Sequence, residues 1–253
     1  MNRRSAVYGH PKCALVTGGT GGIGQAVISE LAGIADKIVF TYYRSVDEAC
    51  RLATMIESAG SVPLPVQVDL RDQNAWKHSL QQILKDHGLV DFVVNSAGIS
   101  EDALCVETTY ESLREQFEVS VFAAWTAMTT IGREMMYHHR GRIVNVASVA
   151  ATLNSPGRSV YGSTKAAIIA LTRSFAKELG RFGILVNAIA PGFVETDMTE
   201  HIPTDIRKKY LEQVPLGKFA SPKQIAELIK FLASDAADYI HGAVLTVDGG
   251  MTA

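Results

Sequence analysis

The chain has 253 residues, of which 47% are hydrophobic and 20% are charged, and its formal net charge is -2. This length and composition are typical of a single globular α/β domain with a large core. A nearly neutral chain has no overall field to attract nucleic acid or an anionic membrane surface, so we predict neither as a partner.

Three cysteines, Cys13, Cys50 and Cys105, are scattered along the chain without the spacing of a metal site or a disulfide framework. That usage favours a reducing compartment. The basic opening, residues 1–4, is not followed by an apolar run of signal-peptide length, and no stretch reaches the ~18 apolar residues of a membrane span. We therefore expect a cytoplasmic protein; a short targeting or disordered N-terminus is the alternative.

The first element reads as a strand, a glycine turn and a helix. The apolar run Cys13–Thr17 precedes a glycine-rich turn at 18–24, and apolar residues then recur at helical spacing as far as Leu31. Such a turn lets the backbone approach a pyrophosphate, whose charge faces the helix N-terminus. Loops also collect glycine for packing alone, which is the alternative. The predicted dinucleotide-binding residues here are Gly18, Thr20, Gly22, Ile23 and Gly24.

The predicted second strand, residues 37–43, ends without an acidic side chain. Tyr43, Arg44 and Ser45 follow, and the first acid is Asp47. A carboxylate at this place accepts from the 2′-hydroxyl of NAD, whereas the 2′-phosphate of NADP requires a cation. Arg44 and Ser45 therefore predict NADPH/NADP+ as the cofactor; a solvated surface arginine is the alternative reading.

Strands and helices alternate over the rest of the chain. This predicts a Rossmann-type, doubly wound parallel sheet of about seven strands with helices on both faces, in a single domain 1–253. The remaining predicted strands are 64–68, 91–95, 142–146, 184–189 and 243–247. The remaining predicted helices are 46–59, 72–87, one opened by Thr108 that runs to about 137, one that carries Tyr161 and runs to about 181, and one after Ser221-Pro222.

Residues after the third and fourth strands are candidates for cofactor contact, because ligands bind at the carboxyl ends of parallel strands. Asp69, followed by Leu70, suits the adenine edge, or equally the N-cap of the next helix. Asn95 is followed by the small residues Ser96, Ala97 and Gly98, which leave room either for a flat cofactor or for close chain packing.

The predicted long helix opens with Thr108-x-x-Glu111, which has the form of a capping box. Leu113, Phe117, Val121 and Trp125 follow at helical spacing and suit the core or a subunit contact. His138 and His139 lack further ligands, so no metal site is predicted. The polar segment 193–220 is only weakly periodic, as expected of a mobile lid over a substrate site.

Tyr161 and Lys165 are four residues apart, so on a helix they share one face. A free tyrosine is a poor proton shuttle at neutral pH, but a neighbouring cation favours the phenolate. Tyr161 could then act as a general acid or base, although an ordinary helix-surface pair has the same spacing. Ser148 comes just after the fifth strand, thirteen residues before Tyr161.

Together these motifs resemble the short-chain dehydrogenase/reductases, and nearly the whole chain is covered. The matches are Thr17-Gly18-x-x-x-Gly22-x-Gly24, Asp69, Asn95-Ser96-Ala97-Gly98, Ser148, Tyr161-x-x-x-Lys165, Asn187 and Pro191-Gly192. The resemblance implies that Ser148 hydrogen-bonds the ketone oxygen, that Tyr161 donates the proton, and that Lys165 holds the ribose hydroxyls. It implies further cofactor contacts at Pro191, Gly192, Val194 and Thr196.

Within that family, the segments 142–145, 190–198 and 247–251 are most similar to 3-oxoacyl-[acyl-carrier-protein] reductases. This implies NADPH-dependent reduction of a 3-oxoacyl thioester on acyl carrier protein or coenzyme A, and a homotetramer. Arg133 and Arg181 lie where similar enzymes present cations to an acidic carrier protein; two solvated arginines are the alternative. Another carbonyl substrate, such as a sugar, steroid or small ketone, and a catalytically impaired nucleotide-binding protein remain as alternatives.

The chain departs from the family pattern at three places. Ser120 stands where an asparagine usually completes a catalytic tetrad and helps to hold a water molecule that relays the proton. A serine is enough for this relay if a backbone carbonyl holds the water; if the amide side chain is needed, activity falls. Ser96 replaces an asparagine. Residues 101–105 read Glu-Asp-Ala-Leu-Cys, where the reductases commonly have a basic residue followed by Asp-Asn-Leu-Leu.

Overall fold

The computed structural model describes residues 10–153 and 155–253. The basic opening, residues 1–4, for which the sequence leaves a targeting or disordered segment open, lies outside the described residues. None of the helices in the described ranges combines the length and the apolar character needed to span a lipid bilayer.

Seven strands form one parallel sheet in the order β3-β2-β1-β4-β5-β6-β7. The order reverses between β1 and β4, which opens a crevice at the carboxyl ends of the strands. The predicted doubly wound sheet is therefore confirmed. The strands are β1 Cys13–Thr17, β2 Lys37–Tyr42, β3 Val62–Gln67, β4 Phe92–Asn95, β5 Gly141–Val146, β6 Ile184–Pro191 and β7 Val244–Val247.

Helices cover both faces of the sheet, and each face has its own hydrophobic core. Side chains of α1, α2 and α9 pack on one face, and those of α3, α5 and α6 pack on the other. Every residue of β1, β4 and β5 is buried, as expected for strands covered on both sides. The helices are α1 Gly22–Leu31, α2 Val46–Ser58, α3 Gln73–His87, α4 Tyr110–Phe117, α5 Ala123–His138, α6 Ser159–Leu179, α7 Asp197–Glu200, α8 Thr204–Glu212 and α9 Pro222–Leu232.

The third strand begins two residues earlier than its predicted start. β3 pairs only with β2 and forms one edge of the sheet, so several of its side chains are exposed. Its prolines, Pro63 and Pro65, are tolerated there because an edge strand does not need every N–H for a ladder bond. These prolines interrupt the apolar run in the sequence and hide the true start of the strand.

The predicted long helix is divided, and its predicted capping residue is wrong. Thr109, not Thr108, caps α4, because the Thr109 side chain accepts from the backbone N–H of Ser112. The Thr108 hydroxyl donates to the Leu104 carbonyl instead. A π-helical turn at Glu118–Phe122 then separates α4 from α5. Such turns shift the backbone hydrogen bonds by one residue and occur frequently at functional sites.

The segment 193–220, expected to be only weakly periodic, contains two short helices, α7 and α8. Phe193 stacks on both Tyr210 and Phe219, with ring centroids 4.4 and 4.9 Å apart. Backbone bonds between Phe193 and Ala220, and between Glu195 and Ala220, close the base of the segment. Its mobility as a lid stays a prediction.

Candidate active site

A cavity of about 350 Å³ lies at the carboxyl ends of β1, β4, β5 and β6. This is the crevice where the strand order reverses. The structure therefore brings together residues from five separate parts of the sequence. The predicted site residues that line the cavity are Gly18, Gly22, Ile23, Gly24, Ala97, Gly98, Ser148, Tyr161, Lys165, Pro191, Gly192, Val194 and Thr196.

Two buried threonines fix the glycine turn to the neighbouring strands. Thr41 accepts from the Gly18 N–H at 2.9 Å, and Thr17 accepts from the N–H groups of Ser96 and Ala97 at 3.1 Å each. Gly18 has a φ of 67°, and a Cβ there would stand 2.9 Å from the Cα of Ala97. Only glycine suits this position, both for its backbone conformation and for the close approach of the two loops.

The N-terminus of α1 suits a negatively charged group. No side chain caps this helix at Gly21, and its first turn contains no acid. The first backbone N–H groups of a helix lack intrahelical acceptors, and the helix dipole adds positive potential there. Gly22 and Ile23 line the cavity at this point, so the site fits the pyrophosphate of a dinucleotide.

Ser148 has a hydroxyl group oriented for donation. Its Oγ accepts from the backbone N–H of Ala150 at 3.1 Å, so the hydroxyl hydrogen remains available to another acceptor. A short 3-10 turn, Val149–Ala151, follows and packs against α6. A Cβ on Gly162 would stand 2.7 Å from the Ala150 carbonyl oxygen. Glycine at 162 thus allows α6 to bring its neighbour Tyr161 close to the Ser148 turn.

Tyr161 and Lys165 lie in the first half of α6, on the face that lines the cavity. Lys165 is only 4% exposed, and its Nζ donates to the Val146 carbonyl at 2.8 Å. The same Nζ is 5.6 Å from the centroid of the Tyr161 ring. A buried ammonium with one carbonyl acceptor keeps two further N–H donors, which suit hydroxyl or water oxygens.

Ser120 lies in the π turn, beside the cavity rather than on its wall. It is 2% exposed, and its Oγ has no hydrogen-bond partner among the described residues. A methyl group added to Gly98 would stand 3.4 Å from this Oγ and 3.3 Å from the Lys165 Nζ. Both polar atoms therefore face the same small space beside Gly98.

Charged side chains meet at the carboxyl ends of β2 and β3. Arg71 makes ion pairs with Asp69 at 2.7 Å and with Glu115 at 2.8 Å, and it donates to the Tyr43 hydroxyl at 2.9 Å. The Arg71 hydrogen bond lowers the pKa of Asp69, and the two carboxylates raise the pKa of Arg71. Arg44 lies over the Tyr43 ring, 4.7 Å from its centroid.

The alternative N-cap role for Asp69 is wrong, because Asp72 caps α3. The Asp72 carboxylate accepts from the backbone N–H groups of Asn74 and Ala75 at 3.0 and 2.9 Å. Asp69 is thus left for its pair with Arg71 and for a ligand. Its contact with adenine stays a prediction.

Several predicted cofactor residues do not line the cavity. Asn95 is buried behind it and donates to Asn145 at 2.8 Å. Leu70 packs in the core beside α3. Thr20 uses its carbonyl to accept from Gln25, and Ser45 precedes α2 without capping it. Their roles as ligands stay predictions.

Some residues that line the cavity were not predicted from the sequence. Arg158, just before α6, lines the cavity and lies over the Tyr161 ring, with Cζ 5.1 Å from its centroid. A cation at the start of a helix is an available sequence signal, because acids and their amides are favoured there. Leu153, Ser155, Met198 and Met251 also line the cavity.

His138 and His139 are exposed at the end of α5. The part of the chain that the structure describes contains no group of three or more His, Cys, Asp or Glu side chains placed to hold a metal ion.

The chain is similar to known proteins over nearly its whole length. Residues 18–252 match a family model described as enoyl-(acyl carrier protein) reductase. The chain is 37% identical over 241 residues to a 3-oxoacyl-[acyl-carrier-protein] reductase of Aquifex aeolicus, covering 95% of this chain and 97% of that protein. It is 33% identical over 240 residues to the reductase of the same name from Staphylococcus epidermidis, covering 95% and 98%.

Solved structures extend this similarity to other dehydrogenases. A short-chain dehydrogenase/reductase from Serratia marcescens is 31% identical with a TM-score of 0.90, covering 96% of this chain and 99% of that one. A putative NAD(P)-dependent gluconate 5-dehydrogenase from Beutenbergia cavernae, solved with bound NADP, is 32% identical with a TM-score of 0.90, covering 97% and 99%. The protein is therefore an oxidoreductase that acts on ketone or CH–OH groups with a nicotinamide cofactor, and the chain belongs to the short-chain dehydrogenase/reductase family.

Proposed function

We propose that the protein reduces 3-oxoacyl thioesters to 3-hydroxyacyl thioesters with NADPH, on acyl carrier protein or coenzyme A. One observation carries the proposal: Ser148, Tyr161 and Lys165 line the same cavity as the glycine turn. The similarity to 3-oxoacyl-[acyl-carrier-protein] reductases supports the choice of substrate among carbonyl compounds.

The protein's own side chains would handle the oxygen and the proton. When bound, the nicotinamide supplies the hydride to the ketone carbon. Ser148 donates to the ketone oxygen through the hydrogen that its bond from Ala150 leaves available. Tyr161 then gives its phenolic proton to that oxygen as general acid. The nearby Lys165 ammonium stabilises the phenolate that remains.

Ser120 and Lys165 would complete the path by which Tyr161 regains its proton. Both present polar atoms to the space beside Gly98, and Ser120 Oγ has no partner among the described residues. The π turn that carries Ser120 also alters the carbonyl directions in this part of the helix. We expect these groups to hold the water through which the proton returns.

The preference for NADPH rests on Arg44 and Ser45. The Tyr43 ring supports the Arg44 guanidinium at the end of β2, and Ser45 follows without a role in capping α2. The neighbouring Arg71 is occupied by Asp69 and Glu115, whereas no carboxylate of the described residues forms an ion pair with Arg44, which would leave its guanidinium for a 2′-phosphate. Asp69 would contact the adenine.

The proposal extends to partners and location. Arg133 on α5 and Arg181 after α6 are both exposed, and α5 packs on α6 through the edge-to-face contact of Trp125 with Phe175. Two exposed cations would suit an acidic acyl carrier protein. Leu113, Phe122 and Trp125 are 40%, 46% and 47% exposed along α4, the π turn and α5, which supports a subunit contact. A homotetramer, which the resemblance implies, and a cytoplasmic location are also part of the proposal.

A steady-state screen tests the function. NADPH and NADH should each be paired with acetoacetyl-coenzyme A, crotonyl-coenzyme A, gluconate-derived 5-ketogluconate and a neutral cyclic ketone. We expect NADPH with acetoacetyl-coenzyme A to give the highest kcat/KM. Turnover of crotonyl-coenzyme A alone would assign the enoyl reduction named by the family model, and turnover of the non-thioesters alone would remove the thioester assignment.

A further inference from the structure

Arg158 places a positive charge inside the cavity, beside the tyrosine assigned to proton donation. Its side chain lines the cavity, is 23% exposed, and has its Cζ 5.1 Å from the centroid of the Tyr161 ring. No step of the reaction described above uses this guanidinium. Its position therefore calls for a separate explanation.

Helix stability does not explain an arginine at this position. Arg158 is the N-cap residue of α6, and its side chain makes no capping hydrogen bond. The N-terminal end of a helix dipole is positive, so a cation there is unfavourable, and Ser, Thr, Asp and Asn are the usual capping residues. A residue that is unfavourable for its helix but lines a cavity is characteristic of a functional position.

Asp102 holds the guanidinium in place. The Nε of Arg158 donates to Asp102 Oδ1 at 3.1 Å, and the same carboxylate oxygen accepts from the Ser100 hydroxyl at 3.0 Å. A backbone bond of 2.9 Å from the Ala103 N–H to the Gly157 carbonyl joins the same two loops. The side chain is thus oriented before any ligand binds, which reduces the entropy lost on binding.

The pair of Arg158 with Asp102 has no net charge but keeps spare donors. Because Nε serves Asp102, the four N–H bonds of Nη1 and Nη2 remain, and no residue in 10–153 or 155–253 accepts from them. A neutral pair with free donors suits a ligand with an uncharged acceptor oxygen. It suits a ligand carboxylate less well, because the negative charge of Asp102 offsets the attraction between Arg158 and that carboxylate.

We infer that Arg158 donates a hydrogen bond to the thioester carbonyl oxygen of the substrate and so selects 3-oxo thioesters over simple ketones. This rests on the proposed function. The thioester carbonyl carbon is two bonds from the ketone carbon, so its oxygen stays close while Ser148 and Tyr161 hold the ketone oxygen. Two oxygens held at once fix the orientation of the ketone carbon.

The test compares substrates that differ in the second oxygen. Wild type is compared with Arg158→Met, which has no side-chain N–H donor, and with Arg158→Gln, whose shorter amide keeps one. All three are assayed with NADPH on acetoacetyl-coenzyme A, ethyl acetoacetate, acetoacetate and 2-pentanone. Loss of a hydrogen bond from a charged donor should lower kcat/KM about ten- to hundred-fold for acetoacetyl-coenzyme A and ethyl acetoacetate. 2-Pentanone, which has no second carbonyl, should change less than about two-fold by the same reasoning.

Two controls separate this role from a structural one. Arg173→Gln makes the same change at an exposed position of α6 and should leave all four rates unaltered. NADPH binding to Arg158→Gln, followed by fluorescence, should match wild type, because Arg158 lies outside the predicted cofactor contacts.

Three results would overturn the inference, and each is distinct from failure of the proposed function. Equal losses on 2-pentanone and ethyl acetoacetate would place the effect of Arg158 on Tyr161 rather than on the second oxygen. A loss confined to acetoacetate would assign Arg158 to a carboxylate. Unchanged rates in Arg158→Met, which has no side-chain N–H donor, would show that Arg158 has no role in the reaction. No turnover of acetoacetyl-coenzyme A by wild type, with 2-pentanone reduced, would instead refute the proposed function.

Discussion

Replacement of Arg44 by alanine should separate NADPH from NADH. Arg44 lies over the Tyr43 ring at 4.7 Å, and its Nη2 is 3.3 Å from the Tyr43 hydroxyl. No carboxylate among residues 10–153 and 155–253 forms an ion pair with it, whereas Arg71 has two such partners. A phosphate would therefore meet an uncompensated guanidinium, with charge-assisted hydrogen bonds worth about 1.5–3 kcal/mol.

That free energy corresponds to a rise of about ten- to hundred-fold in the Kd of NADPH. The Kd of NADH, which has no 2′-phosphate, should change by less than about three-fold on the same scale. Fluorescence titration of each cofactor at fixed ionic strength measures both constants. Because Arg44 is exposed, the difference should shrink as salt is raised.

Arg51→Ala is the matched control. Arg51 is also an exposed arginine; it lies on α2 and is paired with Glu48. Arg51→Ala changes the net charge by the same amount as Arg44→Ala. It should not distinguish the two cofactors. If Arg44→Ala raised the Kd of NADPH and of NADH equally, Arg44 would not be the residue that binds the 2′-phosphate.

Three further predictions concern single groups. Burial raises the pKa of the Cys13 thiol to about 12. Iodoacetamide at pH 8 should therefore label the exposed Cys50 and Cys105 in the folded protein and leave Cys13 unlabelled, as measured by peptide mass spectrometry. Labelling of Cys13 would contradict its buried position. Ser120→Ala should lower kcat about three- to thirty-fold with the Kd of NADPH unchanged, whereas Ser120→Asn should retain or raise kcat. Equal kcat for wild type and both variants would exclude Ser120 from the proton relay. Arg71 lowers the pKa of Asp69, so the carboxylate stabilises the fold above the ordinary aspartate pKa and loses that contribution as pH falls through the lowered value. Arg71→Gln should therefore lower the free energy of unfolding in urea above the ordinary aspartate pKa and approach wild type at lower pH, while Arg114→Gln, at an exposed pair with Glu118, should not show this pH dependence; a difference from wild type that is the same at every pH would contradict the role of Asp69.

Much of the architecture could be predicted because its signals are local. Continuous apolar runs such as residues 92–94 are typical of strands buried on both faces, and glycine at 18 is required by a positive φ and a close approach to Ala97. The same kind of signal located Tyr161 and Lys165 on one helical face.

The features that sequence could not supply depend on contacts between distant residues. Arg71 forms ion pairs with both Asp69 and Glu115, and Arg158 forms one with Asp102. The spacing of these residues along the sequence gives no sign that they are in contact. The π turn at Glu118–Phe122 also lacks a composition signal, because its residues fit an ordinary helix. Thr108 and Thr109 are equivalent as capping residues until the chain direction before α4 is known.

We propose that Tyr161 donates the proton in an NADPH-dependent ketone reduction. The most direct measurement is single-turnover reduction of acetoacetyl-coenzyme A by wild type and by Tyr161→Phe, with NADPH binding measured on the same samples. If Tyr161 is the proton donor, the rate for Tyr161→Phe should fall about 10²- to 10⁴-fold while the Kd of NADPH stays within about two-fold. Tyr161→Phe that binds NADPH normally and reduces the thioester at a rate near wild type would contradict it.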